Sequence, residues 1–201
     1  MPSPAKPQDI VLVCGLGNPG AEYERTRHNI GFATVDALAQ REGVGYWKSE
    51  AGCEVARLKH RCGGELREVV LAKPQSYMNT SGGPLSKLMR QLHVSPQQIL
   101  VVHDEVDLPS GVVRAKFGGG LNAHNGLRSI ADKLRTRDFA RVRCGIGRPP
   151  GRMQVADYVL RELKGGFLEE FEATAQDAAD VVETCLELGV EEAVSRTGGN
   201  R

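Results

Sequence analysis

The chain has 201 residues, 40% of them hydrophobic and 25% charged, with a formal net charge of +1 at pH 7. This is the size and balance of one globular domain with a substantial core, and it excludes a disordered or fibrous chain. No apolar run approaches the length of a membrane span, and five cysteines (Cys14, Cys53, Cys62, Cys144 and Cys185) without a C-x-x-C pair exclude a disulfide framework and a zinc knuckle.

In chain order, residues 1–8 lack the apolar centre of a signal peptide and read as a loose tail, so the chain is expected in the cytoplasm. Ile10 to Cys14 reads as a buried strand. Ile30, Ala33, Ala37 and Leu38 recur at helical spacing between about Asn29 and Glu42, and Gly43 ends that helix. Cys53–Lys59 and Leu66–Ala72 alternate as a strand pair about the turn His60–Gly64. Lys73 to Gly83 is a loop rich in turn formers, and Pro84 opens a helix through Leu85, Leu88, Met89 and Leu92.

Gln98–His103 is a further apolar strand, ending in Asp104-Glu-Val-Asp-Leu-Pro109. Gly111–Phe117 alternates and is expected to pair antiparallel near a sheet edge. A second glycine-rich loop, Gly118–Gly126, feeds a helix over about Leu127–Leu134. Ala140–Ile146 is a strand stopped by Gly147-Arg-Pro-Pro-Gly151, and the segment after Met153 reads as a lid. A long amphipathic helix covers about Phe167–Leu188 with Gly189 as its stop, a shorter helix follows, and Thr197–Arg201 is a frayed tail. Alternating strands and helices predict an α/β fold, a single-domain three-layer α/β/α sandwich around a mixed, mostly parallel twisted sheet. The domain is expected over residues 9–196, between tails at 1–8 and 197–201.

Charge is unevenly spread. From Gly111 to Arg152 there are ten basic residues against Asp132 and Asp138, and the balance reverses after Met153. A basic block in a neutral chain suggests a polyanion footprint, although a solvated face beside an acidic neighbour gives the same count.

Gly15-Leu-Gly-Asn-Pro-Gly20 matches the dinucleotide-binding pattern G-x-G-x-x-G after a strand. Three features speak against that use. Pro19 lies inside the pattern, a charged stretch separates the third glycine from the helix, and Asp36 sits within the helix rather than at a second strand end. There is also no Walker A sequence and no G-x-S-x-G elbow.

What remains is a set of polar residues on loops after strands: Asn18, Tyr23 and His28, then Asn79, then Asp104, then His124 and Asn125. In an α/β sheet such loops converge at one edge. A histidine, a carboxylate and several amides form a kit for general-base hydrolysis. His28 would take a proton from water, Asp104 would hold the other imidazole nitrogen as donor, and amides would donate to the developing oxyanion. No metal-ligand spacing and no activated Ser or Cys is evident, which leaves water as the nucleophile.

Four stretches together are similar to the bacterial-type peptidyl-tRNA hydrolase family: residues 15–32 (GLGNPGAEYERTRHNIGF), 73–82 (KPQSYMNTSG), 103–120 with 124–130 (HDEVDLPSGVVRAKFGGG and HNGLRSI), and 141–150 (RVRCGIGRPP). The resemblance covers nearly the whole chain. It implies metal- and cofactor-independent hydrolysis of the ester joining a peptide to the 3′ end of tRNA, by a monomer that needs no obligate protein partner and no membrane, recycling tRNA from stalled translation. It implies His28 as base, Asp104 as the acid that orients it, and Asn18 and Asn79 as amides near the substrate and the attacked carbonyl. Tyr23 and Met78 would line the cleft for the peptide and the terminal adenosine, and Asn125, with His124 beside it, would place the water and the tRNA end.

Lys116, Arg141 and Arg143 are the expected phosphate contacts, because they lie on strands near the cleft edge. One departure stands out: Leu121-Asn122-Ala123 replaces residues that the family usually has as glycine-rich. Ala123 is poorly suited to a left-handed backbone, so altered loop mobility or substrate entry is expected. The same scaffold also resembles RNA-binding paralogues that need not hydrolyse anything, which is the alternative reading.

Overall fold

In the computed structural model, which describes residues 10–198, the central strand β1 (Leu12–Gly15) is wholly buried. The other elements are α1 (Ile30–Arg41), β2 (Lys48–Glu50), β3 (Cys53–Cys62), β4 (Glu65–Pro74), α2 (Gly82–Leu92), β5 (Ile99–Glu105), β6 (Val113–Phe117), α3 (Asn125–Leu134), β7 (Ala140–Gly145), α4 (Val155–Leu160), α5 (Gly166–Leu188) and α6 (Val190–Thr197). One seven-stranded sheet runs in the order β2-β3-β4-β1-β5-β7-β6. The ladders β4/β1, β1/β5 and β5/β7 are parallel, whereas β2/β3, β3/β4 and β7/β6 are antiparallel. The sheet is therefore mixed, with a parallel centre and antiparallel edges.

Strand alternation builds the two outer layers. Val13, Leu100, Val102, Ala140 and Val142 pack with α1, α5 and α6. Leu12, Cys14, Val70, Ala72, Ile99 and Val101 pack on the other face with α2 and α3. Each Val, Leu or Ile among them, taken fully from water, contributes about 1.5–3 kcal/mol. Two close contacts set the helix positions. A Cβ on Gly82 would lie 2.1 Å from the Ser129 carbonyl oxygen, so α2 crosses α3 at backbone contact. A Cβ on Gly31 would lie 2.3 Å from the Leu16 nitrogen and 2.4 Å from the Val102 oxygen, so α1 starts hard against the ends of β1 and β5.

Several expectations change in detail. The β3–β4 hairpin is longer than the alternation implies, and its turn shrinks to Gly63 and Gly64. β2 and α4 are elements that the pattern did not separate from loop. α2 begins at Gly82, before Pro84, and α3 begins at Asn125, before Leu127. The C-terminal tail does not start at Thr197. That residue closes α6, and its hydroxyl accepts the Ala115 N–H of edge strand β6 at 2.9 Å. The expected tail at 1–8, and residues 199–201 of the one expected at 197–201, lie outside the described residues. No helix among the described residues is long and apolar enough to cross a membrane.

Candidate active site

The carboxyl ends of β1, β4 and β5 lie at one edge of the sheet. After β1 the chain turns through Asn18 and Tyr23 to His28, in a short 3-10 turn at Arg27–Asn29. The glycines of this turn serve backbone approach. A Cβ on Gly15 would sit 2.1 Å from the Gly31 oxygen, and one on Gly17 would sit 2.7 Å from the Phe32 ring. The first turn of α1 is filled by the Leu16 backbone, whose oxygen accepts the Phe32 N–H. The G-x-G-x-x-G pattern is thus a packing motif here.

Asn18 is fixed at both ends. Its backbone N–H donates to Asn29 Oδ1 at 2.9 Å, and its Oδ1 accepts the Met78 N–H at 2.7 Å. The Asn18 amide NH2 is the end left facing the cleft. Asn29 is not among the sequence candidates; its role shows in the pair of bonds by which its Oδ1 accepts the Asn18 N–H and its Nδ2 donates to the Asn18 oxygen. Met78 is buried and starts a 3-10 turn that presents the exposed Asn79.

Asp104, at the end of β5, is the hub. His28 donates Nδ1–H to Asp104 Oδ1 at 2.8 Å, and His124 donates Nε2–H to the same oxygen at 2.9 Å. The tautomer of His124 follows from a second bond. Its Nδ1 accepts the Leu127 N–H at 3.3 Å as the N-cap of α3, so its proton sits on Nε2. The His28 tautomer follows likewise: with Nδ1–H spent on Asp104, Nε2 faces the cleft as an acceptor.

Burial by itself would lower the His28 pKa, but the Asp104 charge and hydrogen bond outweigh it and raise the value above the ordinary 6.5. Burial would push Asp104 up, yet His28 and His124 hold it well below the usual carboxylate range, so it is ionised. His103, the last residue of the apolar run before Asp104, packs edge-on against His124 with ring centroids 5.0 Å apart. It donates Nδ1–H to the Asp104 carbonyl, and burial holds it well below its ordinary pKa, hence neutral.

Around this hub lies a cleft of about 520 Å3. Its walls include Asn18, Tyr23, His28, Met78, Asn79, Asp104, His124 and Asn125, so the expected central set is brought together. The cleft also takes in Glu105, Tyr77 and, from α4, Val155, Val159 and Leu160. Tyr23 and Tyr77 meet edge to face at 6.4 Å. α4 is pinned above the cleft by the Arg27 guanidinium, 4.1 Å from the Tyr158 ring centroid, and by the Tyr158 hydroxyl donating to the Ile146 oxygen at 2.6 Å. The segment after Met153 thus contributes a cleft wall.

His28, Asp104 and His124 offer ligand atoms within 4.8 Å of one another, the one such cluster among the described residues. A metal ion there would displace both protons now shared with Asp104.

The last expected loop arrives differently. β6 runs against its neighbours, so Phe117 lies level with Ala140 and Leu100, at the amino ends of β7 and β5. Residues 118–123 therefore climb the sheet to bring His124 to Asp104. Arg141 guides the climb: Nη1 donates to the Gly120 oxygen at 2.6 Å, and Nη2 donates to the Gly119 oxygen at 3.3 Å and the Arg137 oxygen at 3.1 Å. Arg141 is 1% exposed. This is a correction, because a guanidinium enclosed in this way has no free face for a phosphate. Arg143 is also buried and gives Nε–H to Glu105 at 3.2 Å, but its terminal nitrogens keep no partner among the described residues. Lys116 is half-buried beside it, and its pKa is lowered by burial and then by the charges of Arg143 and Arg141.

A buried carboxylate that orients two imidazoles, with amides around and no Ser or Cys among the described wall residues, defines an α/β protein whose cleft has the groups to activate water. Comparison with known proteins narrows the class. A family model described as Peptidyl-tRNA hydrolase matches residues 12–201, and the chain belongs to the peptidyl-tRNA hydrolase family. It is 51% identical over 185 residues to a peptidyl-tRNA hydrolase of Nocardia farcinica, covering 90% of this chain and 93% of that protein. It is 49% identical over 189 residues to one of Rhodococcus erythropolis, covering 94% and 97%.

Among solved structures, peptidyl-tRNA hydrolase from Acinetobacter baumannii aligns with a TM-score of 0.78 at 34% identity, covering 94% of this chain and 93% of that one. A complex of peptidyl-tRNA hydrolase with N-propanol aligns with a TM-score of 0.84 at 34% identity, covering 94% and 95%. The non-hydrolytic alternative finds no support among these relatives.

Proposed function

We propose that His28 is the general base in the hydrolysis of the ester that joins a peptide to the 3′ end of tRNA. Peptidyl-tRNA hydrolysis is the activity of this chain, and the cleft residues divide that work in distinct roles. The observation that carries them is the His28–Asp104 bond. A 2.8 Å bond to an ionised carboxylate fixes the imidazole with Nε2 open to the cleft. Water on Nε2 loses its proton as it attacks the ester carbonyl. The imidazolium that forms is stabilised by Asp104, and it gives the proton to the ribose 3′ oxygen as the carbonyl carbon–oxygen bond breaks, leaving a ribose hydroxyl and the peptide carboxylate.

The free NH2 of Asn18 and the exposed amides of Asn79 and Asn125 are the candidate donors to substrate and oxyanion, each neutral and so always ready. Tyr23, Met78 and the apolar residues of α4 favour the peptide and the terminal base. Lys116 and the open nitrogens of Arg143 favour phosphates, with sequence-independent, salt-sensitive contacts. The protein acts as a cytoplasmic monomer in tRNA recycling, where its substrate arises.

Single-turnover cleavage of an N-acetylated aminoacyl-tRNA tests the assignment, with tRNA binding followed in parallel. His28→Ala should bind tRNA and lose about three orders of magnitude in rate. A variant that cleaves within a few-fold of wild type would remove His28 from the role of base.

A further inference from the structure

Glu105 is 3% exposed and makes three bonds that join separate parts of the molecule. Its Oε2 accepts Asn122 Nδ2–H at 2.8 Å and Arg143 Nε–H at 3.2 Å, while Oε1 accepts the Asp107 backbone N–H at 3.2 Å. Asn122 belongs to the cleft wall. It is held at φ 45°, and Ala123 after it at φ 59°, in the left-handed region that asparagine tolerates and alanine does not favour. His124, the next residue, is the cap that donates to Asp104. Arg143, at the far side of Glu105, keeps its terminal nitrogens open beside Lys116. A single buried carboxylate thus stands between a cationic edge and the strained loop that delivers His124 and Asn125.

We propose that Glu105 is a positioning residue that couples phosphate binding at Arg143 to the order of the cleft loop at Asn122–Ala123. The proposal rests on the reading of Arg143 and Lys116 as tRNA phosphate contacts. A phosphate on the terminal nitrogens of Arg143 takes a share of its charge and weakens its hold on Glu105. The buried carboxylate cannot turn to water, so it leans on its other donors, the Asn122 amide and the Asp107 N–H. The loop tightens, and His124 and Asn125 are set against Asp104 when the tRNA end is present. Asn122 makes this latch possible through its side chain, since a glycine there would leave Glu105 one donor short.

The test is hydrogen exchange of residues 119–126 with and without deacylated tRNA, in wild type and in Asn122→Gly. Glycine adopts φ 45° freely, so this variant removes the latch without straining the loop. In wild type, tRNA should slow loop exchange. In Asn122→Gly that slowing should shrink by about tenfold, the worth of one hydrogen bond to a charged acceptor. tRNA affinity should fall by no more than the same factor, as linkage requires. Arg143→Lys, which keeps the charge but loses the fork, should shrink the slowing as well.

A merely structural tether would loosen the loop equally with and without tRNA and leave the tRNA-induced factor intact. That result in Asn122→Gly overturns the coupling. Wild type that binds and cleaves acylated tRNA yet shows no loop protection overturns the coupling alone. Wild type that binds no tRNA overturns both the coupling and the reading of the site beneath it.

Discussion

The two glycine-rich loops that carry the site are built on opposite principles. In the first, from Gly15 to Gly20, the shape is set by excluded volume, since strand, turn and α1 meet at backbone distance around Gly15 and Gly31. In the second, from Gly118 to Gly126, the shape is set by polar tethers. Arg141 holds the Gly119 and Gly120 oxygens, and Glu105 holds Asn122. The first loop places His28 rigidly. The second places His124 and Asn125 through bonds that can be traded for others. Packing sets the backbone that carries His28, whose imidazole the Asp104 bond then orients, and hydrogen bonds set the backbone that carries His124.

That contrast can be broken in descending order of effect. Removing what the first loop delivers, with His28→Ala, is the largest change, at about three orders of magnitude in single-turnover rate. Next comes the packing itself. Gly31→Ala forces a methyl against two backbone strands and should cost about 3 kcal/mol or more, read as a lowered urea midpoint with an unchanged m-value. The same experiment on the second loop should give less. Arg141→Met removes three bonds to carbonyls that can partly rehydrate, with a loss of about 2 kcal/mol and faster exchange confined to residues 118–124. A cost as large as that of Gly31→Ala would erase the distinction between the loops.

The pH dependence sharpens the comparison, because it reports the bond that joins the regions. The folded-state pKa of His28 is raised, so its base form exists above that raised value. Accordingly kcat/KM should climb with pH through a midpoint above 6.5. The same shift stabilises the fold below the unfolded value, and that contribution is lost as pH rises through the folded value. Activity and this part of stability therefore run in opposite directions across the window. Asp104→Asn should lower the midpoint, because burial then acts on His28 unopposed. An unmoved midpoint would mean that the profile reports another group.

The smallest expected effect is Ala123→Gly. Relief of the left-handed strain, less the added freedom of the unfolded glycine, leaves a gain of about 0.5–1 kcal/mol with looser loop exchange. Unchanged exchange and turnover in this variant and in Leu121→Gly would show that the departure from a glycine-rich loop is inert. Leu121 packs against the α2/α3 core cluster, so its replacement reaches further than a surface change would.

Much of this was legible in the chain. His28, Asp104, Asn18, Asn79, His124 and Asn125 are legible because the first glycine turn, the turn-rich loop from Lys73 to Gly83, the strand ending at His103 and the HNG start of α3 each carry polar residues where apolar periodicity stops. Glu105, Asn29, His103 and Tyr77 are not, because nothing in their spacing separates a cleft residue from a strand or loop residue. Arg141 was misjudged for a related reason. Basic residues in a cationic block read as surface, and only the return of the 118–123 loop across the sheet reveals that this guanidinium is enclosed.

The sequence by itself determined the alternation of strands and helices, the breaks at glycine and proline, and the chemical types that meet in the cleft, since these depend on local periodicity and backbone sterics. The tertiary structure alone decided that one oxygen of Asp104 serves two histidines, that the loop after the antiparallel edge strand β6 must climb to the site, and which arginines are buried. Those facts arise from contacts between residues far apart in the chain, whose geometry is set by how the layers pack and not by the order of the residues.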